Sequence, residues 1–139
     1  MTIESNPFKN IEIGDLRNLN SKNNEEVIVN LLSHLGEQYE ASDLNYSEDE
    51  MKTFISEALG LRDEELDLVV PPAFGTTKDV FLGISYIDSR LKPDVLREYS
   101  RIPAKIHGDK SIVEMLTEGQ FSEVLLRHYE LFDAEMSGS

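Results

Sequence analysis

Apolar residues recur along most of the chain with the period of a helix. Met51, Phe54, Ile55, Ala58 and Leu59 stand at i, i+3, i+4, i+7 and i+8, which lines one face of an α-helix. Ser47 and Glu50 supply a capping-box pair at its start and Gly60 a stop at its end. Asn23 and Glu26 mark an earlier start, followed by Val27, Leu31, Leu32 and Leu35 up to Gly36. Ahead of it, residues 1–22 read as an irregular arm, with Asn6-Pro7 a turn and Ile11, Ile13 and Leu16 its only anchors.

The middle of the chain is ambiguous in period. Leu61 to Val70 fits a short helix or a short strand, and Pro71-Pro72 ends either one because the residue before a proline is pushed out of the helical region. From Thr77, Val80, Ile84, Ile87 and Leu91 repeat at helical spacing, while Val80, Leu82, Ile84 and Tyr86 also alternate as a strand would. Persistence of the first pattern to Leu91 favours a helix. Pro93 suits the first turn of the next, which carries Val95, Leu96 and Tyr99 and is closed by Pro103. A short helix over Ile112 to Leu116 follows. Thr117 with Gln120 is read as the cap of a last helix bearing Phe121, Val124, Leu125, His128 and Phe132. The expectation is an all-α, single compact fold of five to seven helices, with a short strand near 61–70 as the one exception. It divides into an arm (1–22), a first helical half (23–70) and a second (77–139), joined around Pro71 to Thr77.

Charge adds a direction to this picture. In 139 residues, 13 Lys and Arg face 27 Asp and Glu, leaving −14. Residues 1–70 hold 16 acids and 5 bases, and residues 71–139 hold 11 and 8, so the first half is the acidic one and residues 90–110 are locally basic. Such a field repels phosphate backbones and attracts basic surfaces; nucleic acid is an unfavourable partner and a basic protein a favourable one. No apolar run approaches the roughly 20 residues that span a bilayer, and Met1 to Phe8 lacks a secretory pattern, so no membrane association and a cytoplasmic location are expected. The chain has no cysteine, hence no disulfide and no thiolate zinc site.

Candidate chemistry is sparse. Asp43, Asn45, Ser47 and Asp49 imitate the start of a calcium loop, but Glu48 stands where glycine must turn the chain and Phe54 where a bidentate glutamate is required. His34, His107 and His128 are far apart in sequence and form no His-x-x-x-His or Glu-x-x-His pair; each is expected to be a surface or satisfied core histidine. Gly83-Ile84-Ser85 lacks the closing glycine of a nucleophile elbow. The acids Asp49/Glu50 and Asp63/Glu64/Glu65 are explained by the helix macrodipole. The expectation is no enzyme, no cofactor and no metal.

Tyr99, Pro103, Ile106, Ser111, Glu114, Met115, Leu116, Gly119 and Val124 fall in the order and spacing that resemble the toxin-binding domain of Xre/ParS-type antitoxins. With the preceding helix from Thr77 to Leu91, the likeness covers roughly 50 of the 139 residues. Ile112 stands where that family usually has proline. The DNA-binding helix-turn-helix that commonly precedes the domain would need bases that the acidic first half lacks. The resemblance implies a non-enzymatic inhibitory binding protein, antitoxin- or immunity-like, that covers the active site of a RES-type toxin with its last helix and a short flexible tail. With Val124, Leu125, His128 and Phe132 as the core stripe, Arg127, Glu130, Asp133, Glu135 and Met136 are the candidate partner-binding residues. Composition also permits an acidic adaptor or secretion chaperone, a DNA-mimicking inhibitor, and a homo-oligomer.

Overall fold

The computed structural model describes residues 24–43, 45–69, 76–92 and 94–137, without the side chains of 24, 25, 106 and 133–137; the arm expected over 1–22 and the cap expected at Asn23 lie outside the described residues. Among these, seven α-helices follow one another: α1 (Asn24–Ala41), α2 (Glu48–Leu59), α3 (Asp63–Val69), α4 (Thr77–Ser89), α5 (Val95–Tyr99), α6 (Ile112–Thr117) and α7 (Phe121–Ser137). A single 3-10 turn, Lys105–His107, lies between α5 and α6. The described residues contain no sheet, only an isolated antiparallel bridge between Ala104 and Lys110. The fold is all-α.

Local chemistry starts three of these helices in the same way. Ser47, Thr76 and Ser111 each accept a hydrogen bond from the backbone N–H three residues on, and Glu50, Asp79 and Glu114 each accept one from the cap residue's own N–H. Each reciprocal cap satisfies two donors that a helix start leaves over, and removing such a cap residue typically costs about 1 kcal/mol. Gly60 ends α2 in the left-handed region, at φ 65°, where a side chain would be strained. Thr117 does not cap α7. It is the last residue of α6, its hydroxyl donating to the Glu114 carbonyl, and Gly119 and Gln120 make the turn between the two helices.

The strand alternative near 61–70 is overturned, because Asp63, Glu64 and Glu65 fill the first turn of α3. Negative charge is favoured there, and the Glu65 carboxylate accepts the Arg62 N–H at 2.9 Å. The first helix does not stop at Gly36. It continues to Ala41 because Tyr39 is buried and its hydroxyl accepts the Tyr46 N–H at 2.7 Å, which anchors the last turns to the chain entering α2.

The double periodicity of α4 has a direct cause. Every residue from Val80 to Ile87 is buried, since α1, α2, α5 and α7 all pack on it, and a helix enclosed on all sides needs no polar face. Phe81 is the hub of one side, with Tyr39, Tyr46 and Phe54 edge-on to it at ring separations of 5.8, 5.7 and 5.5 Å. On another side Gly83 lies under Phe121, so close that a Cβ would sit 2.5 Å from the Phe121 ring. Helices from both halves of the sequence share this one apolar cluster.

Polar ties lock the periphery to it. The buried Ser100 hydroxyl donates to the Leu59 carbonyl at 2.9 Å, and Arg101 donates to both the Gly60 carbonyl and the Glu65 carboxylate. Those charged hydrogen bonds from Arg101, helped by the Arg62 N–H, hold the Glu65 carboxyl down at about 2. The stabilisation from Glu65 is therefore complete above the ordinary carboxylate value of about 4.3 and is lost as pH falls towards 2. The expected outcome for Glu65→Gln is a deficit in urea midpoint, relative to the parent, that is full at pH 5 and shrinks by pH 2.5. A deficit that does not change with pH would refute this linkage.

Candidate functional site

Helix α7 sorts its residues by face as its stripe requires. Val124, Leu125, His128 and Phe132 are buried, with the Phe132 ring edge-on to Tyr86 of α4 at 5.7 Å. Arg127 and Glu130 point outward, but they are not separate groups awaiting a partner. Arg127 Nε donates to Glu123 Oε1 at 2.8 Å and its terminal nitrogen to Glu130 Oε1 at 2.9 Å, the i, i+4 and i, i+3 spacings at which helical side chains meet. These bonds raise the Arg127 pKa further. Glu123 is thus a member of the site that the stripe alone does not single out. Asp133, Glu135 and Met136 lie on the last turns of α7, and their side chains lie outside the described residues. The tail expected to be flexible after Phe132 instead continues as helix to Ser137.

Beside this charged row lies an open hollow of about 570 Å³, walled by His107, Gly108, Met115, Glu123 and Arg127. It joins α7 to the 3-10 turn and to α6. At this wall two histidines that are distant in sequence lie together, His107 in the lining and His128 beside it: their rings are 5.4 Å apart and tilted by 36°, and both residues are buried. Nothing in a one-dimensional ligand spacing reveals this pair. The available signal was a histidine on the apolar stripe of the last helix.

Hydrogen bonding fixes the state of His128. Its Nδ1 lies 2.8 Å from the Val124 carbonyl oxygen, which can only accept, so Nδ1 carries the proton. In the neutral ring Nε2 must then accept, and the Tyr99 hydroxyl 2.9 Å away donates to it. Burial lowers the pKa of His128 against the opposing effect of the Val124 bond, and the neighbouring His107 lowers it further. Burial also pushes the Tyr99 phenol up to about 12. His107 is not the satisfied core histidine expected: both ring nitrogens are buried and neither has a hydrogen-bond partner among the described residues. Burial is the main cause that lowers its pKa, while Glu123 and Arg127 act in opposite directions.

At neutral pH the arrangement therefore presents uncharged imidazoles within and a paired ionic row without. Among the described residues no three His, Asp or Glu side chains converge where a metal could sit. Such a surface is suited to recognition through the Glu123–Arg127–Glu130 row and the hollow.

Tyr99→Phe tests the assignment of the buried pair. It leaves the His128 Nε2 lone pair unsatisfied in an apolar setting, at a cost of about 1–3 kcal/mol. The urea midpoint is expected to fall with an unchanged denaturant slope; an unchanged midpoint would contradict the assigned hydrogen bond. No family model, curated protein or solved structure matches this chain.

Proposed function

We propose that this protein is a non-enzymatic inhibitory binding protein, of the antitoxin or immunity kind, that neutralises a toxin enzyme by covering its active site with the outer face of α7. The observation that carries this reading is the row Glu123, Arg127 and Glu130, held in register by its own ion pairs on the solvent face of a helix whose opposite face is buried. A pre-ordered row beside a hollow loses little side-chain freedom on binding. Exposed ion pairs contribute little to stability, so replacing these charges tests contact with another molecule without removing a support of the fold.

Three further points support the reading. The net charge of −14 draws in a basic partner and speeds its encounter. The resemblance of 99–124 to antitoxin toxin-binding domains makes a RES-like toxin the first partner to examine. Among the described residues no helix is long and apolar enough to cross a membrane, which accords with a cytoplasmic encounter. Asp133, Glu135 and Met136 extend the proposed contact along the end of α7.

Co-expression with the product of the adjoining reading frame tests this. That product alone is expected to arrest growth, and this chain to restore it. Arg127→Glu is expected to abolish the rescue while leaving the fold intact, because Arg127 is half-exposed and outside the apolar core and each new like-charge contact on the helix costs only about 0.2–0.5 kcal/mol. Rescue by the variant equal to that of the parent would remove α7's charged face from the mechanism. A neighbour that is harmless alone would favour an adaptor or chaperone instead.

A further inference from the structure

The loop 104–110 is a small closed unit. The Ala104 N–H donates to the Lys110 carbonyl at 3.1 Å, and the N–H groups of His107, Gly108, Asp109 and Lys110 are all bonded within the loop. Among the described side chains two tie it to the body of the protein: Lys110 pairs with Glu118 at the end of α6, and His107, which is 4% exposed, lies against His128. We propose that His107 and His128 form an acid-sensitive latch that holds the 104–110 loop against α7 at neutral pH and releases it on acidification.

A proton on either ring is disfavoured while the loop is closed. Both hydrogen bonds of His128 are committed in the neutral form; a proton on Nε2 would face the Tyr99 oxygen and force the phenol to surrender its role as donor. Among the described residues His107 has no acceptor for either ring nitrogen. The charged groups around the pair do not rescue a cation. Glu123 of α7 attracts one at His107 while Arg127 of the same helix repels it. From α5 the Tyr99 phenol meets His128, α4 presents the Tyr86 phenol beyond Phe132, and α6 presents the uncharged Met115. Lys105 is exposed on the turn itself and Lys110 is paired with Glu118. Protonating one ring also sets a charge 5.4 Å from the other ring's centre.

The sign follows from proton linkage. An imidazole freed by opening has its ordinary pKa of about 6.5, whereas burial holds both rings lower in the closed loop. The open form binds more protons below that value, so closure is fully favoured above about 6.5 and weakens as pH falls. Each imidazole multiplies the opening constant by up to about tenfold per pH unit in that range, and the two together by up to about a hundredfold.

Amide hydrogen exchange of the full chain at pH 7.5 and pH 5.5, corrected for the intrinsic pH dependence of exchange, reads this directly; the lower limit keeps ordinary carboxylates, which titrate near about 4, out of the window. Protection of the 107–110 amides is expected to fall at least tenfold while staying below that of α4 at both pH values, as a local opening requires. In His107→Phe, which keeps a ring on His128 and removes one titrating group, the pH effect is expected to shrink about tenfold. If that variant does not fold, ring-proton titrations of the parent by NMR decide: His107 and His128 should gain their protons in step with loop opening. Equal loop protection at both pH values, loop protection equal to that of α4, or free titration of both rings with the loop closed would each overturn the latch.

Discussion

The burial of α4 on every side is the constraint from which the rest of the molecule follows, because it forces four other helices to find their places against one cylinder. The decisive contact is at its middle. Gly83 offers bare backbone there, and the Phe121 ring at the start of α7 fills the space a side chain would occupy. Leu125, one turn later, approaches the same glycine at 3.5 Å from a Cβ. Buried aromatic rings count heavily, since truncating one to alanine typically costs about 3–5 kcal/mol, and this ring also fixes the height and rotation of the longest helix in the second half.

Once Phe121 is seated, the helical period decides what α7 presents elsewhere. Val124 and Leu125 continue the apolar seam, His128 arrives one turn later beside Tyr99, and Phe132 reaches Tyr86. Tyr99 is in position because α5 is tied to α2 and α3: Ser100 bonds the Leu59 carbonyl, and Arg101 bonds Gly60 and Glu65. The faces that remain are the ones left to Glu123, Arg127 and Glu130. Core packing and the outer charged face are thus two sides of one helix, and a change at Gly83 or Phe121 would displace the hollow and the charged row together.

Much of this was legible in the sequence where local chemistry decides. The capping box at Ser47, the stop at Gly60, the α2 face and the α7 stripe all depend on residues within a few positions of each other; the boxes at Thr76 and Ser111 were equally local and went unread. What escaped depends on residues far apart. The strand-like alternation at 80–86 reflects all-round burial, which no local pattern separates from a sheet. Gly36 reads as a stop until Tyr39 is seen to be buried beyond it. The acids at 63–65 settle a helix only because Arg62 and Arg101 surround Glu65. The histidine pair required a loop and a helix to meet in space. The residues carrying the antitoxin resemblance have physical duties of their own here: Ser111 and Glu114 cap α6, Gly119 turns the chain at φ 78°, Val124 is core and Tyr99 holds His128.

The central claim is that contact between Gly83 and Phe121 sets the position of α7, and the sign of one substitution tests it. In an unobstructed helix interior, Gly→Ala raises stability by up to about 1 kcal/mol. Here Gly83→Ala must push Phe121 aside, and overpacking of this kind costs about 1–3 kcal/mol, partly relieved when Phe121→Leu is made in the same chain. Urea denaturation of the two single variants and the double variant, read as a double-mutant cycle, should show Gly83→Ala destabilising and the pair favourably coupled. A stabilising Gly83→Ala with no coupling to Phe121→Leu would contradict the account.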